Sequence, residues 1–129
     1  MRVILDTSAW LASIVQSDVF HRQAKDFLSK KPELVVLESV FEELMALIQS
    51  RFTKKTAEKH GEALQGIGIY LLNKEEFENA WRIYCQSKLT ISWVDATVIF
   101  VSQKLDLPVF TFDRHFKQLK LKTLPWAGG

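Results

Sequence analysis

Residues 2–6 read Arg2-Val3-Ile4-Leu5-Asp6, a run of aliphatic side chains that ends in an acid. The run does not alternate between apolar and polar residues, so it predicts a strand covered on both faces, as in a parallel sheet. Near the other end of the chain, residues 108–113 read Pro-Val-Phe-Thr-Phe-Asp and have the same form. Residues 33–37 predict a further strand of this kind. The sequence therefore indicates strands that are buried between layers of helix.

The segments between these strands have apolar residues at helical spacing, which predicts helices or helix pairs between successive strands. This alternation is typical of an α/β fold, here a three-layer α/β/α sandwich around a mainly parallel central sheet. A chain of 129 residues predicts one domain, residues 1–129. The predicted helices cover residues 7–15, 18–28, 39–52, 53–65, 73–87 and 92–105. The strand near the end of the chain is predicted at 107–111, and further strands are predicted at 67–72 and 120–124.

Composition excludes several classes of protein. The longest uncharged runs have eleven residues, well short of the ~20 that cross a bilayer, so we expect no membrane segment. The first residues do not form a signal peptide and there is a single cysteine, which together favour a reducing, cytoplasmic location. Seventeen basic against fifteen acidic residues give a net charge of +2, which neither announces nor excludes a nucleic-acid partner.

Two predicted strands end in an acid, Asp6 and Asp113. The carboxyl ends of parallel strands meet at one edge of a sheet, and ligands of open α/β sheets bind outside that edge. An aspartate at a strand end can also simply cap the following turn or helix. Each acid on its own could be a cap or part of a ligand site. The prediction that both lie at the same edge of the sheet favours the ligand site.

Two further acids call for an explanation. Ser39-Val-Phe-Glu42 and Ser92-Trp-Val-Asp95 both fit the capping box, in which the fourth residue bonds back to the first. Capping accounts for Glu42 and leaves Glu43 surplus beside an apolar stripe, while Asp95 lies on a helix that is apolar nearly all round. Acids gathered in one pocket raise each other's pKa unless cations neutralise them, and oxygen ligands suit Mg²⁺ or Mn²⁺.

The remaining chemistry-bearing residues form no competing motif. The three histidines are scattered and there is no glycine-rich phosphate loop, so a zinc site or a phosphate cradle is not expected. On the predicted helix 73–87, the aromatic residues share a stripe with Ala80, which predicts core packing, and Cys85 is interpreted as core filling. The aromatic residues of this stripe are Phe77, Trp81 and Tyr84.

The order and spacing of four short motifs resemble the PIN domain, most closely the small VapC-type toxins of prokaryotic toxin–antitoxin pairs. The motifs are Ile4-Leu5-Asp6-Thr7-Ser8, Ser39-Val-Phe-Glu-Glu43-Leu44, Val94-Asp95-Ala96 and Thr111-Phe-Asp113-Arg-His-Phe116.

This resemblance implies a metal-dependent endoribonuclease that hydrolyses RNA with water activated by Mg²⁺ or Mn²⁺. It further implies a cognate antitoxin and a homodimer. Apolar residues of the first two helices are candidates for the contacts, and the sequence fits core packing of the same residues equally. The implied acidic quartet is Asp6, Glu43, Asp95 and Asp113, with Thr7, Ser8 and Thr111 as supporting hydroxyls; the candidate surface residues are Trp10, Phe20 and Phe27.

The chain departs from the family pattern at three points. His115 stands where many relatives have a second acid, Ser8 stands where many have asparagine, and Glu42 beside Glu43 leaves the alignment ambiguous by one residue. We choose Glu43 because the capping box accounts for Glu42.

An RNA substrate also requires cations near the acids. Arg114 and Lys117 follow Asp113 closely and are candidates for phosphate contacts, although each also fits an ordinary solvated surface. Two other functions remain open from the residues. One is a catalytically inactive PIN-like RNA-binding module, and the other is a receiver-like phosphoacceptor domain, which would normally have paired acids after the first strand and a late strand-end lysine.

Overall fold

The structure is a computed structural model that describes residues 1–125, so the last four residues of the predicted domain lie outside the described part. Strands and helices alternate in the predicted manner. In chain order the elements are β1 (Arg2–Leu5), α1 (Thr7–Ile14), α2 (His21–Ser29), β2 (Glu33–Leu37), α3 (Glu38–Arg51), α4 (Lys54–Ile67), β3 (Ile69–Tyr70), α5 (Lys74–Gln86), α6 (Trp93–Leu105), β4 (Val109–Phe110), α7 (His115–Gln118) and β5 (Thr123–Leu124).

The five strands form one parallel sheet in the order β3-β2-β1-β4-β5. Strands β2 and β3 lie in turn on one side of β1, whereas β4 and β5 lie in turn on its other side. The chain therefore crosses the sheet in one direction up to β3 and in the opposite direction after it. Because such crossovers are right-handed, the two groups of helices cover opposite faces of the sheet. The predicted α/β/α sandwich with a parallel central sheet is confirmed. Strand order reverses between β1 and β4, and a crevice at such a switch point is where these sheets bind ligands.

The aliphatic run of β1 lies at the centre of the core. Val3, Ile4 and Leu5 are fully buried, which explains why this strand has no polar face. Phe27 of α2 is buried as well and packs on Phe110 of β4 with ring centroids 4.3 Å apart. Phe27 therefore belongs to the core, which decides between the surface role and the core role that the sequence leaves open for it.

Helix α3 begins one residue earlier than predicted, at Glu38, and Leu37 rather than Ser39 is at its N-cap position. The Ser39 hydroxyl lies 2.7 Å from Thr97 Oγ1 on α6. Since Thr97 Oγ1 donates its proton to the Val94 carbonyl at 2.6 Å, Ser39 is the donor to Thr97. The capping box predicted for Ser39 and Glu42 is therefore wrong, because the serine hydroxyl bonds to another helix.

Helix α5 has the predicted position but presents a different face to the core. Ala80 is buried on it, whereas the three aromatic residues of the predicted core stripe are all exposed. Cys85 is exposed too. The predictions of core packing for Phe77, Trp81 and Tyr84 and of core filling for Cys85 are wrong. Within residues 1–125, no helix combines the length and apolar character needed to span a membrane.

Candidate active site

Asp6 is the buried carboxylate at the switch point, with 5% of its surface exposed. It follows β1 and occupies the N-cap position of α1, but within the described residues its side chain makes no capping hydrogen bond. Its Oδ2 atom instead accepts hydrogen bonds from Ser8 Oγ and Thr111 Oγ1, each at 2.7 Å. The capping interpretation is therefore wrong for Asp6, whose side chain bonds to hydroxyls from the first turn of α1 and from the residue after β4.

The two hydroxyls also fix the backbone that follows β4. Ser8 Oγ accepts from the Phe112 amide at 3.1 Å, and Thr111 Oγ1 accepts from the Asp113 amide at 2.9 Å. Each hydroxyl has one proton, and both protons point to Asp6 while that carboxylate is ionised. The 3.1 Å contact between Ser8 Oγ and Thr111 Oγ1 is then a close approach rather than a further hydrogen bond. Asp6 thus ties the ends of β1 and β4 together.

The third predicted hydroxyl, Thr7, is placed differently. Its Oγ1 atom is buried and is the one such side-chain atom in the described part of the chain without a hydrogen-bond partner. A buried hydroxyl left unpaired costs about 1–3 kcal/mol. Thr7 therefore leaves a polar atom unsatisfied next to Asp6, whereas Ser8 and Thr111 bond directly to the carboxylate.

The pKa of Asp6 shows which acids share its surroundings. Burial raises this pKa from its ordinary value of 3.8 to about 6, and the hydrogen bonds from Ser8 and Thr111 oppose the rise. The negative charges of Asp95 and Asp113 raise it further. Asp95 and Asp113 therefore lie close enough to Asp6 for their charges to act on it, whereas Glu43 is not among the causes of this shift.

Asp113 follows β4 at the same edge, and its side chain is 41% exposed. Its Oδ1 atom accepts from the His115 amide at 2.9 Å and lies 3.8 Å from His115 Nδ1. The aspartate therefore fixes the local turn, as the capping interpretation proposed, and keeps an exposed face. Arg114 and Lys117 are exposed beside it, where α7 begins.

Asp95 combines two roles in the structure. Its amide donates to Ser92 Oγ at 3.0 Å and its Oδ2 accepts from the Ser92 amide at 3.1 Å, so the predicted capping box is confirmed. The side chain is nevertheless half-buried, and its charge acts on Asp6. Capping therefore orients this carboxylate in the first turn of α6 at the carboxyl edge of the sheet.

Glu43 is half-buried on α3, one turn after Ser39, while Glu42 is exposed. At about 100° per residue, Glu43 lies about 40° around the helix from Ser39. Because Ser39 contacts α6, Glu43 lies on the side of α3 that faces α6. Glu42 lies about 60° to the other side of Ser39 and lines a cavity with Phe77 and with Trp93, the first residue of α6. Both glutamates therefore lie on the α6 side of α3, and Glu43 differs from Glu42 in being half-buried.

The donor set fits a hard divalent cation held partly through water. Among residues 1–125, no three His, Cys, Asp or Glu side chains stand close enough to form a ready set of metal ligands. Mg²⁺, however, usually keeps several waters and takes only one or two carboxylates directly. The carboxylate oxygens of Asp6, Asp95 and Asp113 are of the chemical type that Mg²⁺ and Mn²⁺ prefer.

Glu76 is a buried acid that the sequence patterns do not single out. It is buried on α5 and accepts from Lys104 Nζ at 2.7 Å and from the Tyr70 hydroxyl at 2.6 Å. The Asn73 amide and these two donors lower the pKa of Glu76 to about 2. The pattern Asn73-x-x-Glu76 is a capping box and could have identified this residue. Its role is structural, because its charge is fully paired.

Comparison with known proteins identifies the fold family. A family model described as the PIN domain matches residues 3–122. The chain belongs to the PIN domain family. This confirms the resemblance inferred from the four motifs, and no curated protein matches the sequence.

Solved structures extend the comparison of this PIN domain. VapC20 of Mycobacterium tuberculosis, described as a sarcin-ricin loop cleaving toxin, has a TM-score of 0.83 and 23% identity, covering 92% of this chain and 95% of that one. A toxin–antitoxin complex from Klebsiella pneumoniae contains a chain with a TM-score of 0.65 and 18% identity, and the match covers 87% of each. At these identities the likeness concerns the fold.

Proposed function

We propose that this PIN domain is a divalent-metal-dependent endoribonuclease whose metal-binding acids are Asp6, Glu43, Asp95 and Asp113. The observation that carries the proposal is the surroundings of Asp6. A buried carboxylate with a pKa of about 6 lies at the switch point of the sheet, within the fields of two other acids. This arrangement lowers the stability of the fold, since burial and the nearby like charges both oppose the ionisation of Asp6.

A bound Mg²⁺ or Mn²⁺ would neutralise these acids, lower the pKa of a bound water and offset the charge that develops on the phosphate. The chain's own residues hold the acids in place for this chemistry. Ser8 and Thr111 occupy one oxygen of Asp6, so the rotation of the carboxylate is restricted. The capping box fixes Asp95, and the turn to His115 fixes Asp113.

The RNA backbone needs cations close to these acids. Arg114 and Lys117 are exposed and follow Asp113 directly, so we propose that they contact phosphates on either side of the cleaved bond.

The structural relatives guide the biological context. One is described as a toxin that cleaves a sarcin-ricin loop, and the other is a toxin–antitoxin complex. We propose that this chain is the toxin of a type II pair, that a cognate antitoxin protein binds it, and that it forms a homodimer. Membership of the PIN family favours this function over a receiver-like phosphoacceptor, in which a lysine would occupy the position of Asp113.

The test is cleavage of end-labelled single-stranded RNA by the purified protein, with Asp113→Asn purified in parallel as a control for contaminating nucleases. We expect internal cleavage in Mg²⁺ or Mn²⁺, none in excess EDTA, and recovery when metal is restored. Equal cleavage in EDTA would rule out the metal mechanism. RNA binding without cleavage in any divalent metal would support the inactive RNA-binding module instead.

A further inference from the structure

A cavity of about 210 Å³ lies between the starts of α3, α5 and α6. Phe77 and Trp93 line it, and their ring centroids are 4.8 Å apart. Ser39 and Thr97 line it as well, at the point where α3 is hydrogen-bonded to α6. Pockets for drug-sized ligands measure ~300–1,000 Å³, so this smaller cavity with its aromatic lining suits a single flat ring system.

The two hydroxyls in the cavity can accept hydrogen bonds from a ligand but cannot donate them. Thr97 Oγ1 gives its single proton to the Val94 carbonyl, and Ser39 Oγ gives its own to Thr97. Within residues 1–125, no group donates to Ser39 Oγ. Ser39 therefore offers free lone pairs to a ligand that carries N–H groups.

The ring of Phe77 is exposed to a degree that the fold does not require. It is 53% exposed, whereas Ala80 and Glu76 form the buried face of α5 and anchor the helix. Aromatic rings that are open to solvent are the surfaces on which unpaired bases of RNA stack. Phe77 and Trp93 thus give the cavity a stacking surface beside its hydrogen-bond acceptors.

Acidic side chains in the lining exclude a phosphate group as the ligand. Glu38 and Glu42 both line the cavity, and within residues 1–125 neither forms an ion pair. Two negative charges repel a phosphate, whereas a nucleobase is neutral and is not repelled in this way. The cavity therefore fits a base and leaves the RNA backbone outside.

The cavity and the candidate active site are separated by the width of α6. Trp93 and Thr97 are each two residues from Asp95, which places them about 200° around the helix from it. A helix with its side chains is about 10 Å wide. A base in the cavity would therefore belong to a nucleotide near the cleaved bond and not to the reacting phosphate group itself.

We propose that this cavity binds one unpaired base of the RNA, which stacks on Phe77 and Trp93 and donates a hydrogen bond from an exocyclic amino group to Ser39. Guanine, adenine and cytosine carry such an amino group and uracil does not, so uracil is disfavoured at this position. The proposal rests on the proposed endoribonuclease function, because it describes how the same RNA substrate is recognised.

Stacking is tested with a short oligouridylate that has 2-aminopurine, a fluorescent base with an exocyclic amino group, at its centre. Ca²⁺ replaces Mg²⁺, and gel electrophoresis verifies that the RNA stays intact. We expect the protein to quench the fluorescence, and Phe77→Leu to weaken binding at least about fivefold, because one stacking contact is lost. Phe52→Leu is the matched control, since Phe52 is 44% exposed at the end of α3, outside the cavity.

The hydrogen bond is tested with guanosine and inosine at the same central position, because these two nucleosides differ only in the exocyclic amino group. The wild-type protein should bind the guanosine RNA at least about threefold more tightly, the effect of one neutral hydrogen bond. Ser39→Ala should bind the two RNAs equally and still quench 2-aminopurine. Circular dichroism verifies that each variant folds.

Three results would each overturn the proposal. They are fluorescence that the wild-type protein does not quench, quenching and affinity unaffected by Phe77→Leu, and equal binding of guanosine and inosine RNA by the wild type. The first would leave the cavity to another ligand, such as a protein side chain. Because cleavage is not measured, failure of base binding is distinguishable from failure of the nuclease function, which the EDTA experiment tests separately.

Discussion

Replacing Asp6 with asparagine is expected to abolish RNA cleavage and, in the absence of metal, to stabilise the protein at neutral pH. Cleavage should fall by more than about a hundredfold, because losing even a neighbour of a metal ligand costs ~10–100-fold. The stabilisation follows from burial of an acid whose pKa is raised from 3.8 to about 6. Such opposite effects on activity and stability are typical of a residue retained for function.

The sign of the pH dependence follows from proton binding. Between pH 3.8 and about 6 the folded protein holds the Asp6 proton more tightly than the unfolded chain does. The free energy of unfolding therefore decreases as pH rises through this window, and the full penalty of about 3 kcal/mol applies above it. Asparagine has no charge to bury, so Asp6→Asn should recover up to that amount at pH 7.5 and much less at pH 4.

Urea unfolding in EDTA at both pH values measures this difference. Asp26→Asn is the matched control, because Asp26 is exposed on α2 and should show no comparable pH-dependent gain. If Asp6→Asn were less stable than the wild type at pH 7.5, the hydrogen bonds to the carboxylate would outweigh the penalty of burying its charge. If the variant still cleaved RNA at the wild-type rate, Asp6 would not belong to the active site.

The second large effect distinguishes two adjacent glutamates. Glu43→Gln is expected to reduce RNA cleavage by at least about tenfold, whereas Glu42→Gln should retain it, since Glu43 is half-buried on α3 and Glu42 is exposed to solvent. Each substitution removes one charge and changes little in size, so the pair is internally controlled.

Initial cleavage rates over a range of Mg²⁺ concentrations provide the measurement. A loss of activity confined to Glu43→Gln that is partly recovered at high Mg²⁺ would indicate weakened metal binding. The reverse pattern, with Glu42→Gln inactive, would place Glu42 at the site and contradict the assignment.

The sequence predicts the strands and their acids better than it predicts the packing of helices. The bounds of β2 match the prediction of residues 33–37, because a continuous aliphatic run next to a proline has few alternatives to a buried strand. The end of β1 at Leu5 places Asp6 at the sheet edge. The order of the strands, and hence the switch point between β1 and β4, depends on pairings between distant segments and had to come from the structure.

Helical periodicity predicts which residues share a face, but not what that face contacts. It groups the aromatic stripe of α5 correctly and assigns it wrongly to the core, because an apolar stripe at the surface has the same spacing as one that packs on the core. Ser39 fails as a cap for a related reason, since its hydroxyl bonds to Thr97, 58 positions further along the chain. The sequence predicts Asp95 both as a cap and as a site residue, and its geometry allows both.

The most direct test of the account is a titration of Mn²⁺ without RNA, in which electron paramagnetic resonance reports the free ion. The wild-type protein is predicted to remove free Mn²⁺ at pH 7.5 and to release it when Mg²⁺ is added. Binding should weaken below pH 6 as Asp6 gains its proton. Asp6→Asn should leave the free-ion signal unchanged. Equal binding by the two proteins, or no binding by the wild type, would contradict a metal site at this edge of the sheet.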